Sequence, residues 1–263
     1  MQNVGDFARF KAEGRKISVV TAYDAWSARL VSRSNVDAIL VGDSAAMVMH
    51  GHPTTLAATV GLMSLHTRAV SRCAPDKFLI ADLPFLSFRQ GVNAAIRAVG
   101  SLVRSGAQAV KLEGVDGHEE VIRRIVGSGV PVMGHVGLTP QSVNQFGGFR
   151  VQGRNEVESA RLLRQAHALE ELGCFAIVLE CVPAELAVRI TSELTLPTIG
   201  IGAGAGTDGQ VLVLHDLWGV DTSHSLRFVR RYVDGERLLT DALDRYDADV
   251  KASRFPAPEE SFS

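Results

Sequence analysis

Lys111 and Glu113 stand two residues apart in AVKLEG (109–114), a stretch otherwise apolar up to its closing glycine. Side chains two apart on a strand share a face, so one face would carry a cation and an anion together. Other residues capable of chemistry sit at or near the ends of apolar runs. Asp43 and Ser44 close DAILVGDS (37–44), Asp82 lies in KFLIADLPF (77–85), His135 in VPVMGHVG (130–137), Glu180 in CFAIVLECV (174–182), and His215 and Asp216 in QVLVLHDLWG (210–219). Charged side chains are rarely buried without partners. Carboxylates gathered at one point repel unless a cation lies among them. An all-oxygen donor set suits Mg2+, and no Cys/His cluster supports zinc. Glu113 would then face the metal, and Lys111 a substrate anion such as a carboxylate.

These residues need a scaffold that brings distant strand ends together. Eight apolar runs recur, the remaining ones being KISVVTAYD (16–24), AQAVKLEG (107–114) and LPTIGIGAG (196–204). Several are short and continuously apolar, as in strands covered on both faces. Helical spacing fills many gaps. NEVESARLLRQAHALEELG (155–173) places Val157, Ala160, Leu163, Ala166 and Leu169 at three-residue steps, and 93–107 behaves similarly. Strand–helix alternation repeated about eight times predicts a parallel (β/α)8 barrel, with an open doubly wound sheet as the alternative. No linker divides the chain, so one domain over 1–263 is expected, with a short N-terminal helix and a Pro/Ser-rich tail at about 251–263.

Each residue also has a structural reading. Asp43 could cap a helix, Asp82 a turn, Lys111 and Glu113 could pair with each other, and His135 could be a satisfied core histidine. His50, His52, His66, His118, His167 and His224 carry only that structural reading. A barrel, whose strand ends all converge on one mouth, explains the coincidence better than separate caps do. The loop GIGAGAG (200–206) either cradles phosphate or lets the backbone pass closely.

Composition narrows the class. The chain has 263 residues, 46% of them apolar, and a net charge of −2. That is ample for a core and offers no basic footprint for nucleic acid. No charge-free window of membrane-spanning length and no secretory signal are visible. Cys73, Cys174 and Cys181 form no CxxC pair, so a reduced cytoplasm is expected.

Six blocks carry a resemblance: LVGDSAAMVMHGHPTTLAATV (40–60), ADLPF (81–85), KLEG (111–114), GHVGLTPQSVNQFGGFRVQGR (134–154), LECVPAELAVRIT (179–191) and IGIGAGAGTDGQVLVLHDLWG (199–219). Together, in this order and spanning almost the whole chain, they resemble the ketopantoate hydroxymethyltransferase family. The resemblance implies a (β/α)8 barrel of the phosphoenolpyruvate/pyruvate-binding superfamily. It implies transfer of a hydroxymethyl group from 5,10-methylenetetrahydrofolate to 3-methyl-2-oxobutanoate in pantothenate and coenzyme A biosynthesis, giving 2-dehydropantoate and tetrahydrofolate. It further implies Mg2+ on Asp43, Asp82 and Glu113, substrate contacts from Asp43, Ser44, Asp82 and Lys111, a site histidine at His135, Glu180 as proton acceptor, and a homodecamer. Departures from the family's pattern are Ala45-Ala46 after GDS, Phe149-Arg150, and a tail without the family's usual histidine.

The residue types suit this chemistry independently. A 2-oxo acid chelates a metal, which acidifies its C3–H, and a carboxylate such as Glu180 could remove that proton. Rival readings are a Mg2+-dependent mutase or lyase of the same superfamily, a metal-free aldolase with Lys111 as Schiff-base nucleophile, and a non-catalytic metabolite-binding barrel.

Overall fold

A computed structural model describes residues 1, 3–221 and 226–262. They form two compact units, Met1–Val213 and Leu214–Ser263. The first unit holds eight parallel strands closed in sequence order: β1 (Ile17–Thr21), β2 (Ala38–Val41), β3 (Phe78–Asp82), β4 (Ala109–Lys111), β5 (Val132–Gly137), β6 (Ala176–Glu180), β7 (Thr198–Ile201) and β8 (Gly209–Leu212). β1 pairs with β8, so the expected barrel is present and the open sheet is not. Every apolar run overlaps a strand, and each strand is shorter than its run.

Helix α1 (Val4–Ala12) precedes the barrel. The helices α2 (Ala25–Ser32), α3 (Ala45–Val48), α4 (Val60–Cys73), α5 (Val92–Arg104), α6 (Glu119–Gly127), α7 (Val143–Phe146), α8 (Glu156–Glu171) and α9 (Ala184–Glu193) connect the strands. In α8 the buried residues are Leu162, Ala166 and Leu169, whereas Val157 is 81% exposed. The expected stripe drifts because three-residue steps fall short of a 3.6-residue turn, and the packed face follows i, i+4, i+7 instead.

Strand alternation decides what enters the barrel. Phe78 and Ile80 on β3, Ala109 on β4, Met133 on β5, and Ala176 and Val178 on β6 share one buried cluster with Phe7 and Phe10 of α1. The next residues in phase, toward the carboxyl ends, are Asp82, Lys111, His135 and Glu180. Apolar side chains thus fill the barrel's interior, and polar ones crown it. At the amino end, Phe7 packs edge-on against Phe78 at 5.5 Å and Phe175 at 5.0 Å. Lys11 fastens α1 by donating to Thr191 O, Leu196 O and Asp208 Oδ2 at 2.9–3.0 Å.

The second unit contains α10 (Leu214–Trp218) and α11 (Gly235–Lys251). His215 and Asp216 therefore lie on a helix, not at a strand end. The apolar run ran through the end of β8 into α10, which hid the boundary. Among the described residues no helix is long and apolar enough to cross a membrane.

The loop after β7 shows why it is rich in glycine. A Cβ on Gly204 would sit 2.6 Å from Ala184 Cβ, and one on Gly206 would sit 2.3 Å from Val188 Cγ2, both on α9. Close packing against α9 thus accounts for glycine at both positions. Gly206→Ala should destabilise the protein by roughly 1–3 kcal/mol through overpacking, measured by denaturant unfolding; an unchanged midpoint would refute the packing account.

Candidate active site

The crown is held together by short contacts between adjacent strand ends. Asp82 and Lys111 are register partners, and Lys111 Nζ lies 2.7 Å from Asp82 Oδ1. Asp82 Oδ2 accepts the backbone N–H of Asp43 at 3.0 Å. Asp82 is therefore an ion-pair and hydrogen-bond partner inside the mouth rather than a turn cap. Asp43 makes no cap either: α3 begins after Ser44 without a side-chain cap, and Asp43 Oδ2 accepts instead from Gln141 Nε2 at 2.8 Å. Gly42 permits this tight corner, since a Cβ there would come within 2.8 Å of Ser44 Oγ. Ser44 Oγ is 2.8 Å from the Tyr23 hydroxyl.

Glu113 lies just beyond β4, which ends at Lys111. It does not pair with Lys111. Its Oε2 accepts the backbone N–H of Gln141 at 2.9 Å, and its Oε1 is 3.8 Å from His135 Nδ1. On the other side His135 Nε2 is 3.4 Å from Glu180 Oε2. His135 is only 1% exposed, and among the described residues neither ring nitrogen has a hydrogen-bond partner. A buried imidazole with both nitrogens unserved is not a satisfied core histidine. Asp43, Asp82, Lys111, Glu113, His135 and Glu180 thus form one connected cluster, with Ser44 at its edge.

His50, His52, His66, His118 and His167 stand outside this chain of contacts. His66 Nδ1 is 2.6 Å from Tyr23 O and its Nε2 is 2.9 Å from His50, while His118 is fixed to Gly114 O and Asp116 O. His167 pairs with Glu193, and His52 is exposed. His224 lies outside the described residues.

Charge in the cluster is unbalanced. Burial, and then the neighbouring Asp82, raise the Asp43 pKa to about 7. Burial and then Asp43 hold Glu113 well above the usual carboxylate range. Burial disfavours the Lys111 ammonium, but Asp82, Glu113 and Asp43 outweigh it and keep the lysine charged. A Schiff-base nucleophile needs a free amine, so this setting argues against the aldolase reading. Burial, then Lys111, lower the His135 pKa and keep the ring neutral near pH 7.

Among the described residues, no three carboxylate, imidazole or thiol groups are already drawn to one point as metal ligands. The donor chemistry nevertheless fits a hard divalent cation: buried carboxylates outnumber the single ammonium, and their oxygens are of the type Mg2+ takes. A pH dependence follows. Asp43 has a folded pKa above its unfolded value, so it binds its proton more tightly when folded. Its stabilising contribution is present at low pH and is lost as pH rises through about 7. The metal-free protein should therefore melt higher near pH 5.5 than near pH 8, and the Mg2+-induced rise in melting temperature should grow over the same interval. A Mg2+ effect independent of pH would contradict this.

Three residues of the site escaped the reading of the sequence. Gln141 and Tyr23 are uncharged, and Arg89, which donates to Glu113 O at 3.0 Å, lies in a loop away from any apolar run. Tyr23 had a usable signal, because it follows β1 as Asp43 follows β2.

The barrel and its crown define a class: a (β/α)8-barrel enzyme with its polar site at the carboxyl ends of the strands. Solved structures support the fold. A phosphonopyruvate hydrolase in complex with oxalate and Mg2+ matches with a TM-score of 0.64 at 12% identity, covering 99% of this chain and 93% of that one. A 2,3-dimethylmalate lyase of the PEP mutase/isocitrate lyase superfamily matches with a TM-score of 0.58 at 18% identity, covering 98% and 90%. Sequence narrows the class further. The model of the ketopantoate hydroxymethyltransferase family matches residues 2–258. A 3-methyl-2-oxobutanoate hydroxymethyltransferase from Coxiella burnetii is 53% identical, over 97% of this chain and 96% of its own. Enzymes of the same name from Bdellovibrio bacteriovorus and Francisella tularensis are 51% and 49% identical, over essentially full lengths. The chain belongs to the ketopantoate hydroxymethyltransferase family.

Proposed function

We propose that the protein transfers a hydroxymethyl group from 5,10-methylenetetrahydrofolate to 3-methyl-2-oxobutanoate, giving 2-dehydropantoate and tetrahydrofolate for pantothenate and coenzyme A synthesis. The observation that carries this reading is the crown itself, where a charged lysine and clustered carboxylates lie beside a Glu180–His135 contact at 3.4 Å. The names of the close relatives support the substrate.

In this reading Asp43, Asp82 and Glu113 hold Mg2+, which supplies positive charge where the 2-oxo acid becomes more anionic. Lys111 turns its ammonium from Asp82 toward the substrate carboxylate. Ser44 and His135 complete the substrate's surroundings. Glu180 receives the C3 proton at its carboxylate, with the neutral His135 ring beside it, Nε2 lying 3.4 Å from Glu180 Oε2. C3 bonds to the folate's methylene carbon, both C–N bonds of that carbon break, water provides the hydroxyl oxygen, and tetrahydrofolate leaves. Leu239, Leu243, Tyr246 and Val250 form an exposed stripe on α11, which supports a homo-oligomer, taken as a decamer from the family resemblance. A cytoplasmic setting fits the unpaired cysteines.

The test is NMR of 3-methyl-2-oxobutanoate in D2O with the protein and Mg2+, with and without tetrahydrofolate and formaldehyde. Loss of the C3–H signal, with conversion to 2-dehydropantoate only when folate is present, is the expected result. Neither exchange nor product from the folded, metal-supplied protein would overturn the substrate and return weight to the mutase or lyase reading.

A further inference from the structure

Gln141 joins three strand ends although it belongs to none of them. It sits in the turn Pro140–Ser142, just beyond β5, and is buried. Its Nε2 donates to Asp43 Oδ2, beyond β2, at 2.8 Å and to Leu83 O, beyond β3, at 2.9 Å. Its backbone N–H donates to Glu113 Oε2, beyond β4, at 2.9 Å. The amide cannot be turned over, because both partners of Nε2 are acceptors. That leaves Oε1 buried with no donor among the described residues. Half of the amide is spent on the protein, and the other half is left for a donor that the described residues do not supply.

The choice of an amide matters. Asp43 and Glu113 repel each other, and left to themselves they would swing apart. A lysine or arginine at this point would hold them but cancel their charge. A neutral amide and a peptide N–H hold both and leave the charge intact for a cation. We propose that Gln141 is a positioning residue, fixing the carboxylates of Asp43 and Glu113 in the orientation in which they bind a divalent metal. This rests on the reading of those carboxylates as metal ligands given above.

The experiment measures Mn2+ binding by electron paramagnetic resonance, without substrate, in the wild type, Gln141→Met, Asp43→Asn and the double variant, with melting temperatures of the metal-free proteins alongside. Methionine keeps the volume and removes both amide atoms. Gln141→Met should bind Mn2+ about 10–100-fold more weakly than the wild type, the scale of lost support around metal ligands. In the Asp43→Asn background the same change should cost much less, because Gln141 then has no Asp43 carboxylate to orient. A wild type that binds Mn2+ and a Gln141→Met variant that binds it equally well would overturn the inference and leave the proposed function standing. Equal fold losses in both backgrounds would also overturn it, since that is the pattern of general packing damage. A wild type that binds no Mn2+ would remove the metal site itself and this inference with it. If Gln141→Met does not fold, Gln141→Asn, which draws the amide back by one methylene, gives the same comparison.

Discussion

Glu180→Gln should slow metal-dependent exchange of the C3–H of 3-methyl-2-oxobutanoate by roughly 10²–10⁴-fold, the usual contribution of a positioned base. The substitution keeps the shape of the side chain and removes its ability to take a proton. It spares the Asp82–Lys111 pair and the contacts of Gln141, none of which involve Glu180. Substrate affinity should therefore change much less than the exchange rate. Both can be read from one NMR titration, with exchange giving the rate and chemical-shift perturbation the binding. An exchange rate equal to the wild type's would exclude Glu180 as the base and turn attention to Asp43, whose carboxyl burial and Asp82 push up to about 7.

Lys111→Met should have the largest effect on stability, a loss of about 3–5 kcal/mol at pH 8 without metal, as when one partner of a buried ion pair is removed. Lys111 and Asp82 are both almost fully buried. Without the ammonium, Asp82 would face Asp43 and Glu113 without its ion-pair partner. Lowering the pH should recover part of the loss by protonating carboxylates, and Mg2+ should recover part of it by replacing the missing charge. Chemical unfolding at pH 8 and pH 5.5, with and without Mg2+, measures all of these. A variant as stable as the wild type at pH 8 would mean that the carboxylates do not carry the repulsion described.

Much of this cluster was legible in the sequence, for a definite reason. Asp82, Lys111, His135 and Glu180 are charged or titratable residues in otherwise apolar runs, and strand alternation puts them in phase with the interior. The pairings were not legible. Lys111 and Glu113 are near neighbours in sequence, yet each finds a partner across the sheet, because the register aligns Asp82 with Lys111 and the turn after β5 brings Gln141 to Glu113. A glutamine four residues beyond a strand looks like any loop residue until the fold shows what it reaches. His215 and Asp216 misled in the opposite direction, since hydrophobicity continued past the end of β8. The eight strands were the easier part: parallel strands covered on both faces announce themselves as apolar runs.

The seal at the amino end of the barrel has a consequence for how the chain reaches this state. Helix α1 leaves the ribosome before any of its partners. Phe7 waits for Phe78 and Phe175, and Lys11 for Asp208, 197 residues further along. Contacts so distant in sequence close slowly. Until β8 has been synthesised, the two phenylalanines that finally stop the barrel are an exposed apolar pair on a free helix. The order of synthesis thus makes α1 one of the first segments to need protection from aggregation and one of the last to dock.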